Sequence, residues 1–396
     1  MAKSNVAVSL HAGLGQRLDE VAVPSTASDM RARRPRWTCP GPADVGVLLA
    51  PRGSINRRRT FYAWLRSTAI LSSLLCTACS GHGPAEGGEW DSLGLTGHRI
   101  TALRDTDSGL YAGTATGLFR LAPGSGTWEA AGLDESAVSE IVVLPGASPR
   151  LLVGVGSGVP GGGRVGIFAS DDGGRTWVAV NEQYWPRSLA LDPGKNGRIF
   201  MGGSYSILRS EDNGATWEFV FGSADDRGAG IGSITVSSAG DGQVWAGGES
   251  ALGAGVVLRS ENGGETWEVV FPVGAAVNVI LSDPVSASRV WAGIGGGGVR
   301  RSDDAGRNWR KSLAAEVWVY ELVFLDDLLY AVGRETSFVE GQGFRERLRL
   351  FRLESPDGGW QEVGTPELPG GLSAVVDQNG YLVIGTDGGG VWRLIP

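Results

Sequence analysis

From residue 89 onward, short apolar runs alternate with polar, glycine-rich breaks, and no stretch sustains a 3.6-residue apolar period over three turns. Seven of these runs close on a glycine. They are Leu110-Tyr111-Ala112-Gly113, Leu152-Val153-Gly154, Phe200-Met201-Gly202, Trp245-Ala246-Gly247, Trp291-Ala292-Gly293, Tyr330-Ala331-Val332-Gly333 and Val383-Ile384-Gly385. An apolar run precedes each, such as 141–144 or 277–281. A third run follows each, such as Leu118-Phe119-Arg120-Leu121 or Val391-Trp392-Arg393-Leu394. A Trp-led segment, as in Trp217-Glu218-Phe219-Val220-Phe221, ends the unit. These lengths suit strands, so each unit reads as four strands.

Between the third and fourth strands stands an octapeptide of the form Ser-x-Asp-x-Gly-x-Thr-Trp. It runs Ser170-Asp171-Asp172-Gly173-Gly174-Arg175-Thr176-Trp177 and again Ser210-Glu211-Asp212-Asn213-Gly214-Ala215-Thr216-Trp217. A third copy, Ser260 to Trp267, keeps Gly264 and has Asn262 for the Asp; a fourth, Ser302 to Trp309, keeps Asp304 and Gly306 and has Asn308 for the Thr. A clipped fifth reads Ser355-Pro356-Asp357-Gly358-Gly359-Trp360. The pattern predicts a hairpin turn. The Asp accepts from backbone N–H groups two residues ahead, and Gly takes the left-handed position. Thr-Trp then opens a strand, with the Trp packed under the turn or against a neighbour. Each Asp is therefore assigned to structure.

The period of about 40–50 residues points to a propeller or a solenoid. The ends decide between them. The chain stops at Pro396 after the third strand of the seventh unit, and one Trp-led strand, Glu89-Trp90-Asp91-Ser92-Leu93, stands alone at the front. The expectation is an all-β, seven-bladed β-propeller of four-stranded blades over 89–396. The N-terminal strand completes the last blade and leaves no open edge.

The octapeptide resembles the Asp-box, or BNR repeat, of sialidase-like propellers. That resemblance covers about Glu89 to Pro396 and implies boxes set away from any active site. Among its members the chain is most similar to non-catalytic propellers, of the photosystem II stability/assembly factor type and of generic exported proteins. The assembly-factor family carries an Arg-rich patch. Arg345, Arg347, Arg349 and Arg352 resemble one but interleave with Leu348, Leu350 and Phe351, as on a strand with one wet face.

Residues 1–55 show no pattern and read as a disordered or mis-assigned extension. Residues 56–79 read as an export signal: a basic stretch Arg57-Arg58-Arg59, an apolar run to Leu75, then Cys76-Thr77-Ala78-Cys79. The run is too short to span a bilayer. Its ending resembles a bacterial lipoprotein box with Cys79 as the acylated residue, and Arg58-Arg59 resembles a twin-arginine signal. Residues 80–88 form a small-residue tether. The expected address is the bacterial cell envelope, lipid-anchored on a periplasmic or extracellular face. The three cysteines, Cys39, Cys76 and Cys79, all precede the propeller. Eleven of 35 basic and four of 43 acidic residues precede Ser80, leaving a net charge of about −15 beyond it. This excludes nucleic acid as a general partner.

Chemistry is sparse. Only His98 lies in the propeller, so neither a Cys/His metal site nor a second candidate for a Ser-His-Asp triad exists there. No metal or cofactor is expected. Arg164, Glu182, Tyr205, Glu249, Glu335 and Asp387 join Asp225 and Asp226 as raw material for a glycosidase. The sialidase Phe-Arg-Ile-Pro signature is missing; Phe119-Arg120-Leu121-Ala122-Pro123 matches it superficially and on the wrong strand. Xyloglucanase-type enzymes set two propellers about a cleft, and this chain has one. Loops between second and third strands, and those joining blades, share one face. There Tyr184, Trp185, Arg187, Asp225, Asp226, Arg227, Trp318 and Arg334 are the expected binding residues, since aromatics and Arg dominate interaction hot spots. The reading is a monomeric, membrane-tethered, non-catalytic interaction or assembly module with a protein partner. The alternative is a glycan-binding or glycoside-cleaving protein.

Overall fold

The computed structural model describes residues 89–396 except 146–149, 157–162, 205, 223–228, 240, 251–252, 315, 326, 341–342, 366–371, 379 and 396. The extension, the signal, Cys79 and the tether lie outside the described residues. So do Tyr205, Asp225, Asp226 and Arg227 among the expected site residues.

Seven antiparallel four-stranded sheets follow one another along the chain. Blades 1 to 6 occupy residues 100–130, 137–181, 188–222, 229–273, 277–313 and 318–363, each with its strands in sequence order. Blade 7 combines Leu372–Gln378, Tyr381–Thr386 and Gly390–Ile395 with the first strand, Glu89–Gly94. Trp90 stands opposite Leu394 and Ser92 opposite Trp392. The expected closure is the one observed.

The core is seven seams, one between each pair of adjacent blades. A large residue from the head of an outer strand sits in every seam. Trp177, Trp217, Trp267, Trp309 and Trp360 fill the five seams from blades 1/2 to 5/6. Trp90 occupies the 6/7 seam and Trp128 the 7/1 seam. Trp128 ends Gly124-Ser125-Gly126-Thr127-Trp128, a remnant of the octapeptide without its Ser and Asp, which the sequence reading passed over. The Trp128 indole N–H donates to Leu93 O (2.7 Å), and that of Trp177 to Ala131 O (2.8 Å). Each thus reaches back to the outer edge of the preceding blade.

The recurrent glycine of the second strand has a packing cause. A Cβ on Gly113 would lie 2.5 Å from Val138 of blade 2, and one on Gly293 would lie 2.7 Å from Val319 of blade 6. In blades 1, 3, 4, 5 and 7 the glycine is a notch that receives an aliphatic side chain from the next blade's inner strand; Gly154 of blade 2 meets Pro186 of the crossing instead, and in blade 6 the register puts Val332, not Gly333, at the corresponding position. Gly385 of blade 7 receives Ile100 of blade 1 in the same way, so the ring closes by the rule that builds it.

In the octapeptide turns the Asp acts differently from the sequence expectation. Asp172 accepts from the N–H groups of Arg175 (3.0 Å) and Thr176 (2.9 Å), three and four residues ahead. Its partner at two residues' distance is Ser170, whose hydroxyl donates to Asp172 Oδ1 (2.8 Å) and accepts from Gly174 N–H (2.8 Å). That serine is buried in all four full copies. The fifth copy, two residues shorter, sends Asp357 outward to Arg301 (2.9 Å). Three arginines that directly precede a box serine clamp the next blade's turn. Arg209 reaches Gly263 O (2.8 Å), Arg259 reaches Ala305 O, and Arg301 reaches Pro356 O.

Candidate binding site at the channel mouth

In every blade the inner strand lines the central channel, running from the face that carries the inter-blade crossings. On that face the inner strands bulge. The register slips by one residue at Thr101, Ser139, Gly232, Asn278, Tyr320 and Ser373 in blades 1, 2, 4, 5, 6 and 7. A bulge re-aims a side chain and ends regular pairing. Here it brings residues of the inner strands to the channel mouth. Two of them bind across blades: Ser139 Oγ donates to Pro186 O (2.8 Å), and Asn278 Nδ2 donates to Val319 O (3.0 Å). In blade 3 the corresponding place before Ser188 belongs to Arg187, whose N–H donates to Gly202 O (2.8 Å). Its guanidinium covers Gly230.

One residue deeper, Glu140 of blade 2 and Glu321 of blade 6 follow their bulges into a cavity of about 620 Å³. Arg104 of blade 1 donates to Ile141 O (2.9 Å) and stands 3.9 Å from Glu140. Burial raises the Glu140 carboxyl above its ordinary range, against the opposing pull of Arg104 and the Ile141 N–H. Burial, aided by the charge of Glu140, pushes Glu321 up to about 8. The wall crowds these groups without drying them, for Glu140 keeps 28 % of its side-chain surface open to the channel. Thr101 Oγ1, also in the lining, is buried without a hydrogen-bond partner.

Two tryptophans stand at the mouth. Trp185 and Trp318 hold corresponding positions, at the end of the crossings into blades 3 and 6, and are 48 % and 43 % exposed. Each rests on glycine: a Cβ on Gly156 would lie 2.2 Å from the Trp185 ring and displace it, while Trp318 lies over Gly295 and Gly296, where a Cβ would come to 3.0 and 3.4 Å. Arg334 pairs with Trp318 in register and caps Tyr320, donating to its hydroxyl (2.6 Å) from above the ring (5.2 Å). It is itself held by both carboxylate oxygens of Glu346 (2.9 and 3.0 Å). Arg334 and Glu346 lie on a hairpin formed by Leu328–Val339 and Gly343–Leu353, the longest strands of the propeller, which projects on the mouth side.

Of the expected binding residues, Trp185, Arg187, Trp318 and Arg334 fall on this face, the first two at blade 3 and the last two at blade 6. Tyr184 does not join them. It packs edge-on against Phe219 of the blade 3 outer strand (5.2 Å). Glu335 binds Arg349 on the flank of the hairpin, and Asp387 lies 3.8 Å from Arg99. Arg349 is enclosed by Glu335 and Glu362, so the arginine row of this strand is in part neutralised. Glu140, Glu321, Arg104 and Tyr320 were missed. Their signal was a carboxylate near the start of an otherwise apolar run, in Ser139-Glu140-Ile141 and Tyr320-Glu321-Leu322, whereas Asp105 and Asp377 stand at the far ends of their inner strands. Among the described residues no group of three or more His, Cys, Asp or Glu side chains is placed to hold a metal ion.

No family model matches the chain, and no curated protein matches it. Solved structures do. A xyloglucanase of glycoside hydrolase family 74 from Xanthomonas campestris aligns at a TM-score of 0.60 with 17% identity, over 77% of this chain and 53% of the enzyme. The chain therefore spans about half of that protein. YCF48 bound to D1 peptide aligns at 0.57 with 18% identity, over 79% of this chain and 96% of its own. YCF48 from Cyanidioschyzon merolae aligns at 0.56 with 15% identity, over 78% and 98%. At these identities the likeness is one of fold.

Proposed function

We propose that the chain is an exported, lipid-anchored, non-catalytic propeller that binds a protein partner of the cell envelope across the channel mouth. The observation that carries this reading is the pair Trp185 and Trp318, exposed at corresponding positions of blades 3 and 6 and seated on glycine. Large exposed aromatics of this kind are the usual anchors of a protein interface. A propeller of the same fold has been solved with a peptide bound, which supports a peptide segment as the ligand. Glu89 lies on the side of the octapeptide turns, beside Ile395. A tether running from Cys79 to Glu89 would hold that side toward the membrane and present the mouth to a partner.

The test is capture of partners from envelope fractions by the wild-type protein and by Trp185→Ala and Trp318→Ala. Loss of the same partner in both variants, with melting temperatures within a few degrees of wild type, is the expected result. The raised carboxyls Glu140 and Glu321 favour one second reading, a glycosidase using an acid and a base in the channel. Turnover of fluorogenic glycosides that disappears in Glu140→Gln and Glu321→Gln would establish that reading and displace the first.

A further inference from the structure

We infer that the channel mouth selects a cationic side chain, a lysine or arginine of the partner segment, which enters the cavity and pairs with Glu140 and Glu321. This rests on the reading of the mouth as the partner-binding surface. It begins from a charge imbalance inside a real cavity. Glu140 and Glu321 face the same space from blades 2 and 6, and Arg104 is engaged with Ile141 O and Glu140. Among the described residues no Lys or Arg lies within 4 Å of the Glu321 carboxylate, and the charge of Arg104 reaches it only from a distance, too weakly to offset its burial. Of the other charged groups in the lining, Arg187 lies at the rim over Gly230, and Asp105 lies beyond Arg104 and accepts from Gln378 (3.1 Å).

A crowded carboxyl beside a second one has two remedies, a proton or a cation. Free of ligand, the protein uses the proton, since Glu321 is pushed up to about 8. A partner ammonium or guanidinium would replace that proton and gain charge-assisted hydrogen bonds. The cavity of about 620 Å³ has room for either side chain. The lining suits the apolar stem of such a residue, because Tyr320 supplies ring surface over which methylenes can lie.

The probe is an acetylated, amidated pentapeptide with one lysine between leucines, compared with its norleucine twin by NMR titration of the full-length protein. The lysine peptide should bind, and the twin should bind at least about tenfold more weakly, the scale of one charge-assisted hydrogen bond. Glu321→Gln and Glu140→Gln preserve shape and should each weaken the lysine peptide by a similar factor, with melting temperatures at pH 7 no lower than that of wild type. Equal binding of the twin, no binding of the lysine peptide up to millimolar concentration, or indifference to both substitutions overturns the inference. The envelope partner separates this from the wider reading. Capture lost in Trp185→Ala but kept in both Gln variants would refute the cation and leave the mouth as the site. Capture unaffected by every change at the mouth would refute the proposed function itself.

Discussion

At the scale of the residue, the octapeptide works as a small circuit of hydrogen bonds. The buried serine hydroxyl binds the Gly N–H and the Asp, and the Asp binds the residue before the Trp. Substitutions within the repeat keep the circuit. Asn308 takes the place of Thr and donates to Asp304 (2.7 Å), while Asn262 donates to Thr266 (2.9 Å). The fourth position, written as free in the motif, is left-handed in every full copy, with φ of 74° at Gly173, 60° at Asn213, 67° at Gly263 and 56° at Ala305. Alanine is strained there, so Ala305→Gly should stabilise the protein by up to about 1 kcal/mol in denaturant titration. The hydrogen bonds to Asn308 hold Asp304 down to about 2. A depressed carboxyl stabilises the fold above its unfolded value near 3.8 and loses that contribution as pH falls toward 2. Glu321 has the opposite sign. Raised to about 8 from 4.5, its folded state holds the proton more tightly, so stability from this group falls as pH rises from 4.5 through 8. Melting curves should therefore show Asp304→Asn insensitive to part of the acid loss, and Glu321→Gln gaining on wild type as pH rises from 4.5 to 8 and levelling off above. The motif was legible because its residues are adjacent in sequence. The left-handed fourth position was not, since Gly, Asn and Ala share no chemistry, only a backbone demand.

At the scale of the element, the seam is the unit of stability. Five of the seven seams combine one outer-strand tryptophan, one glycine notch and the aliphatic side chain that fills it. Gly293→Val would drive a branched side chain into Val319 and Val279. Overpacking of this kind should cost about 1–3 kcal/mol or more, read as a lowered denaturation midpoint. Gly274→Ala, with open space around its Cβ position, is the control expected to change little. The strand-Gly mark could be counted from sequence because it recurs seven times. Its cause could not, because the knob lies on the following blade. The inner-strand bulges were equally hidden. A bulge adds one residue to an apolar run and leaves no turn residue to announce it, so Glu140 and Glu321 read as interruptions in ordinary strands. Trp185 and Trp318 were legible because they end the crossings between blades, Trp185 in the loop and Trp318 at the first residue of its strand, where a large aromatic has no core to fill.

At the scale of the whole molecule, ring closure depends on the strand Glu89–Gly94. Its Trp90 indole N–H donates to Gly364 O (3.0 Å), and Leu93 O receives Trp128 from blade 1. A chain beginning at Leu95 would lose both and expose the edge of Gly390–Ile395. It should lose the cooperative unfolding of the closed ring and self-associate in gel filtration, whereas a chain beginning at Glu89 should remain monomeric. The closure was legible from two incomplete ends that complete each other, a global feature written in local sequence. The ligand was not, since the mouth gathers single residues from distant blades. The claim that joins these scales is that the octapeptide turns build the fold and the opposite face binds. Photo-crosslinking from defined positions in living cells tests it most directly, with a crosslinking amino acid placed at 185, at 318, and on the turn side at 216. The account expects one shared partner adduct at 185 and 318 and none at 216. The same adduct at 216 with none at the mouth would contradict it.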